Sequence, residues 1–252
     1  MYQDNTQLNT GADETSVEKR KRSKFWNILL WLIIIALAAA VVVRAFVISK
    51  VTVSGLSMTS SYYNNEDDEY YNPDLTFHDG DTVVVNKMKK PQRGDVVVFY
   101  KYPVKSKFLA LFARGDSTER DGEYYKLIKR VVALGGDKIW VEQTGDNEYM
   151  LVIQTPDGEI LYEDQYKKNG KTLSCDSFKL IDQELSGLGN LRGTTQDNPI
   201  IIEEGYFFAI GDNRVNSDDS RGPLGQVPLA QMFGVVIDRQ NSRLFIKGSQ
   251  FI

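Results

Sequence analysis

The chemistry open to this chain is bounded by two scarce residues: among 252 there is one histidine, His78, and one cysteine, Cys175. A lone cysteine excludes an internal disulfide and any cysteine-based zinc site. His78 lies in His78-Asp79-Gly80-Asp81, a turn composition that reads as a solvated loop residue rather than a base. A serine nucleophile would therefore need another base, and lysine is the usual alternative. Its difficulty is protonation: with a free pKa near 10.4, only about 0.04% of a lysine is neutral at pH 7. Lowering that pKa to about 8 makes roughly a tenth of it neutral, at a differential cost of about 3 kcal/mol, and desolvation can supply the shift. A catalytic lysine should interrupt a hydrophobic strand.

Lys129 does so. Within Tyr125–Leu134, period-2 alternation puts it on the face carrying Leu127, Val131 and Ala133. The competing reading is a strand-edge lysine whose amine snorkels to water. Most other lysines sit in basic clusters or turns, such as Lys89-Lys90 and Lys167-Lys168. A second concentration of reactive side chains is the run Gly211-Asp212-Asn213-Arg214-Val215-Asn216-Ser217-Asp218-Asp219-Ser220-Arg221, hung on the apolar stretch Tyr206–Ile210. A solvated loop would have the same composition. Other serine chemistries fit poorly. The Ser-x-x-Lys pattern occurs at Ser16–Lys19, in a polar tail, and Gly55-Leu56-Ser57-Met58-Thr59 lacks the second glycine of a nucleophile elbow. The acidic run Glu66-Asp67-Asp68-Glu69 reads as a solvated charge run, not a metal site.

The elements that must position these residues are legible in outline. Residues 1–18 are polar and read as a disordered tail. A basic cluster, Lys19 to Lys24, precedes an apolar run of roughly 19 residues from Phe25, close to the length of a bilayer-spanning helix. A cleaved signal with Ala38-Ala39-Ala40 at its cleavage site is the alternative. The continuation through Val41-Val42-Val43 and the long preceding tail favour an uncleaved anchor. The resulting division is a tail at 1–24, a transmembrane anchor at 25–45 and an external domain at 46–252. The basic cluster places the tail in the cytosol and the domain outside the membrane.

Beyond the anchor, strands are expected at 47–53, 82–87, 96–100, 125–134, 138–141, 200–202, 206–210 and 232–237. Thr59–Asp74 reads as an exposed loop, and residues 142–199 as a small inserted subdomain of short strands. The fold class is mainly β, with one N-terminal transmembrane helix. A net charge of -4 gives no basic footprint for nucleic acid.

Four segments, in order, resemble the boxes of bacterial type I signal peptidase, in its single-anchor form. They are Ser54-Gly55-Leu56-Ser57-Met58, Arg93–Phe99, Tyr125–Asp137 and Gly211–Arg221, and the N-terminal anchor precedes them as in that family. The resemblance covers most of residues 25–240. It implies an all-β extracytoplasmic signal-peptidase-like domain and a Ser/Lys endopeptidase that removes signal peptides from exported precursors. It implies no cofactor and no metal. Its partners would be signal-peptide-bearing precursors, the lipid bilayer and, by proximity, the secretion machinery.

Carried over by residue, the resemblance makes Ser57 the nucleophile and Lys129 the general base. It makes Ser217 the hydroxyl that orients the lysine amine, Asp219 and Arg221 a supporting ion pair, and Asp212 a partner for Arg130. Met58 would pack beneath the nucleophile and touch the membrane-side surface. Gly55 stands where some relatives carry a serine whose hydroxyl helps bind the oxyanion. Three features depart from the pattern. Thr59-Ser60-Ser61 replaces a proline-stiffened segment, Gly135 replaces a proline and should loosen its turn, and residues 142–199 have no transferable role. Two rivals remain at this level: a self-cleaving Ser/Lys peptidase of related fold, and a catalytically inactive export-substrate-binding domain.

Overall fold

A computed structural model describes residues 10–42, 47–59, 77–103, 125–163, 167–168, 171–172, 180–182 and 187–240. The acidic run Glu66–Glu69, most of the expected loop at 59–74 and Cys175 fall outside these. The chain divides into two units, residues 1–47 and 48–252.

The first unit carries a 33-residue helix, α1 (Thr10–Val42). Its stretch Lys24–Val42 is long and apolar enough to cross a membrane. Phe25, Trp26, Trp31, Ile35 and Leu37 are all exposed, and no residue of this stretch is buried among the described residues. A helix apolar all round suits lipid, which is consistent with membrane anchoring. The helix starts earlier than expected, because residues 10–18, read as disordered, are helical. Once a long apolar helix is nucleated, extending it costs little, and Glu18, Lys19, Arg20, Lys21 and Arg22 are good helix formers.

The second unit is built of β-strands. In chain order they are β1 (Ile48–Thr52), β2 (Thr82–Asn86), β3 (Val96–Tyr100), β4 (Lys126–Leu134), β5 (Lys138–Gly145), β6 (Glu148–Gln154) and β7 (Ile160–Tyr162). There follow β8 (Lys167–Lys168), β9 (Lys171–Thr172), β10 (Leu180–Ile181), β11 (Ile200–Ile201), β12 (Tyr206–Ile210), β13 (Val227–Pro228) and β14 (Met232–Gln240). A seven-stranded antiparallel sheet has the order β1-β2-β14-β3-β4-β12-β13. A smaller sheet, β10-β6-β5-β11 with β7 also on β6, comes largely from the inserted segment. Val, Ile and Phe fill these strands because branched and aromatic side chains pack well on a pleated, half-buried surface.

Three apolar clusters hold the sheets. Val97, Phe99, Leu127, Val131, Phe207 and Val235 form one within the large sheet. Val132, Ala133, Ile139, Leu151, Ile153 and Phe208 form a second, which joins the large sheet to the small one. The expected apolar row Leu127–Val131–Ala133 is split between these two clusters. The cause is a bulge: pairing runs Phe208 with Ala133 and then Ala209 with Val131, skipping Val132 and reversing the alternation.

Two local expectations change. His78 is no solvated loop residue; its side chain is 12% exposed and lies against the buried Asp81 carboxylate. The turn after β4 is not loosened by Gly135, where a Cβ would sit 3.0 Å from the Glu203 carbonyl. Glycine there permits a close backbone approach rather than added freedom. Gly136 beside it has φ +88, a conformation that favours glycine.

Candidate active site

Ser57 stands on a short turn after β1. Val53 closes that strand's end by donating its N–H to the Asp81 carbonyl (2.8 Å). Gly55 then turns the chain at φ +87, with its N–H on Asp79 Oδ1 (2.8 Å). Met58 anchors the turn from beneath. It is fully buried among Val53, Phe77, Val85 and Ile128, so it does not reach the surface as expected. Ser57 itself is half-buried. Among the described residues, no acceptor takes its N–H.

Lys129 stands at the middle of β4 and pairs with Val97 of β3. It is 2% exposed. Its Nζ lies 2.6 Å from Ser57 Oγ and donates to the Ile128 carbonyl at 3.0 Å. Burial pushes the amine down to about 8, against the pull of Asp219, Asp218 and Asp212, with the Arg221 charge pushing the same way as burial. An ammonium stripped of water loses hydration that a neutral amine does not need.

The loop after β12 closes over this pair. Asn213 donates its N–H to the Ser57 carbonyl (3.0 Å) and its side-chain amide to the Leu56 carbonyl (3.1 Å). Gly211 lies so close that a Cβ there would overlap both the Ser57 carbonyl and Ser217 Oγ. Ser217 does not hydrogen-bond the lysine amine. Its hydroxyl is near enough to Asp219 to help hold that carboxyl low, but no hydrogen bond of good geometry forms. Side-chain aim at Lys129 comes from Ser57 and its own strand's carbonyl.

Three buried ion pairs brace the loop. Arg130 grips Asp212 through two hydrogen bonds (2.8 and 2.6 Å) and reaches the Gly94 carbonyl (2.7 Å). Arg221 grips Asp219 in the same way (3.0 and 2.9 Å) and donates to the Gly187 and Arg214 carbonyls. Burial alone would raise the Asp219 carboxyl, but hydrogen bonds and charge from Arg221 hold it below the usual carboxylate range. The third pair, Arg214 with Glu163 (2.8 and 2.5 Å), was not legible in the sequence. Such pairs fix shape more than they stabilise, since desolvation offsets most of their attraction.

Sequence reasoning also missed Asn213, which lies inside the quoted run but has nothing in its spacing to set it apart from Asn216. Glu163 follows the three-residue strand β7 and sits 51 residues before its partner, so no local signal marks it. The arrangement as a whole places a hydroxyl against an amine that is substantially neutral near pH 8, with no intervening group. Such a pair can pass a proton.

The family model described as signal peptidase, peptidase S26 matches residues 26–239. The chain belongs to this family. Among its relatives, signal peptidase I P of Bacillus subtilis subsp. natto is 30% identical over 222 residues, covering 86% of this chain and 90% of that protein. A signal peptidase I of Bacillus amyloliquefaciens is 27% identical over 219 residues, with the same coverage of each chain. A crystal structure of a signal peptidase I from Enterococcus faecalis V583 is 27% identical and covers 59% of this chain and 98% of that one, at a TM-score of 0.32. Membership makes the chain a peptidase of the signal peptidase class. The family match takes in Ser57, Lys129 and the whole of Gly211–Arg221.

Proposed function

We propose that this protein is a membrane-anchored endopeptidase that cleaves signal peptides from exported precursors with Ser57 as nucleophile and Lys129 as general base. The observation that carries the reading is the 2.6 Å contact between Ser57 Oγ and an amine buried to 2% exposure. In the neutral state the amine accepts the Ser57 proton as Oγ attacks the scissile carbonyl. The tetrahedral intermediate places its oxyanion near the nucleophile, where, among the described residues, the Ser57 N–H has no other acceptor and is available as a donor. Lys129, now an ammonium, protonates the leaving amine, and the ester-linked acyl-enzyme remains. The regenerated neutral amine then activates water to release the signal peptide.

The apolar helix segment supports a single anchor with its basic N-terminal flank in the cytosol and the β domain outside the membrane. Precursors would meet the site as they emerge at the outer face, and small residues at the first and third positions before the cut are the expected preference. The test uses the full chain in detergent or vesicles with a precursor bearing an Ala-x-Ala signal. Wild type should release the mature protein, whereas Ser57→Ala and Lys129→Ala should leave it intact. Undiminished cleavage by either variant would sink the assignment.

A further inference from the structure

We infer that Glu163, from the inserted segment, is a positioning residue for the Ser57–Lys129 pair, acting through Arg214. The inference rests on the proposed peptidase reading and deepens it. Glu163 directly follows β7, which belongs to the small sheet, and its side chain is fully buried. Both of its carboxylate oxygens accept from Arg214, whose side chain is 2% exposed. Arg214 lies inside the loop that closes over the catalytic pair, one residue from the Asn213 that clamps Ser57.

From there the connection continues without a gap. The Arg214 carbonyl accepts from Arg221 (2.9 Å), and Arg221 holds Asp219 bidentately. Asp219 takes the Gly211 N–H at 3.1 Å, and Gly211 lies against both Ser57 and Ser217. Asp219 is also the largest charge opposing the burial of Lys129. Glu163 therefore holds one end of a chain of charge-assisted hydrogen bonds whose other end sets the geometry and the field at the amine. Through Glu163 the inserted segment reaches the loop that closes over the site.

The charges around Lys129 explain what should change. Asp219, Asp218 and Asp212 favour its ammonium, and Arg221 opposes it. Asp218 is exposed and paired with Lys101, whereas Asp212, Asp219, Glu163, Arg130, Arg214 and Arg221 are all buried. Replacing Glu163 by glutamine keeps the shape but leaves one more positive charge in the cluster. That disfavours the ammonium and lowers the pH at which Lys129 becomes neutral. It also removes the anchor for Arg214, so the loop loses its aim.

The experiment measures kcat and KM against pH for the full-length wild type, Glu163→Gln and the charge-balanced double variant Glu163→Gln/Arg214→Gln. For Glu163→Gln, kcat should fall about tenfold or more while KM stays within about twofold, and the acid limb should move to lower pH. The double variant should recover part of kcat and return the acid limb toward the wild-type position, because the charge imbalance is gone. A merely structural pair would behave in the opposite way, with the double variant at least as impaired as the single. That result, or a Glu163→Gln enzyme with wild-type kcat and acid limb, overturns the inference. If Glu163→Gln does not fold, Glu163→Asp, which keeps the charge but shortens the reach to Arg214, takes its place: a lowered kcat with unchanged KM and an unmoved acid limb supports the role, and a wild-type kcat refutes it. The Lys129 titration is read in parallel by NMR of 13Cε-lysine, assigned with Lys129→Met. A lower Lys129 titration in Glu163→Gln supports the inference even if wild type fails to cleave, a failure that would refute the peptidase reading alone.

Discussion

Lys129 Nζ and Ser57 Oγ meet at 2.6 Å although 72 residues separate them in sequence. One is carried by a central strand of the large sheet and the other by a turn whose underside is the fully buried Met58. The amine's environment sets the working range of the pair.

With the lysine pushed down to about 8, cleavage should depend on the fraction of neutral amine. The kcat/KM of a peptide substrate should rise through an acid limb with an apparent pKa near 8, with roughly a tenth of the enzyme active at pH 7. An acid limb near 6.5, where an ordinary histidine titrates, would point to a different base.

The same burial has a cost in stability. In the folded state Lys129 gives up its proton near 8, whereas in the unfolded chain it does so near 10.5. Between those values the unfolded state binds more protons, so wild-type stability should rise with pH across that window. Below it the full penalty applies, about 3 kcal/mol for a shift of this size. Lys129→Met should therefore be more stable than wild type at pH 7 by up to about 3 kcal/mol, with the gain shrinking between pH 8 and 10.5. Urea denaturation at several pH values measures it, and a Lys129→Met protein less stable at pH 7 would contradict the account.

Asp219→Asn removes the largest charge opposing the burial of Lys129. The acid limb should shift to lower pH, since the ammonium loses its best-placed support. Arg221 is also left beside a neutral amide, and breaking a buried pair in this way costs about 3–5 kcal/mol. A pH–rate profile together with thermal unfolding checks both effects, and an acid limb moved upward would refute the electrostatic reading.

At Gly211 the constraint is steric. A methyl group would overlap the Ser57 carbonyl and Ser217 Oγ, both of which belong to the site rather than to pliable surface. Gly211→Ala should lower kcat by about 100-fold, because small displacements of a nucleophile are amplified in rate. Its destabilisation should be only about 1–3 kcal/mol, the usual range for overpacking. Wild-type turnover in this variant would show that the close approach plays no part in the geometry.

Lys129 was readable as a candidate because a lysine within an apolar strand is a chemical anomaly that few explanations cover, whereas Ser57 came only with the resemblance of Ser54–Met58 to a family box. The strands of the large sheet were readable from alternation and from turns such as Gly80-Asp81 and Gly94-Asp95. What escaped reading depended on contacts that only the folded chain makes. Period-2 counting carries Ala133 past a bulge that only the pairing with β12 creates. His78 looks solvated until Asp81 is placed beside it. Ser217 appears aimed at the lysine, yet the amine finds a closer acceptor in its own strand at Ile128. Glu163 is one acid among many until folding brings Arg214 to it.

The sheet order carries a further consequence for timing. β14, the last strand among the described residues, lies between β2 and β3, two of the earliest. During synthesis those two strands wait, with open edges, for a segment made some 130 residues later. Contacts that span so much chain form slowly, because the loop must close before any pairing rewards it. The candidate site draws on the same architecture, with the serine from the start of the domain and the closing loop from near its end. Until the loop after β12 is made, Ser57 and Lys129 lack the Asn213 clamp and the Gly211 contact that fix their geometry.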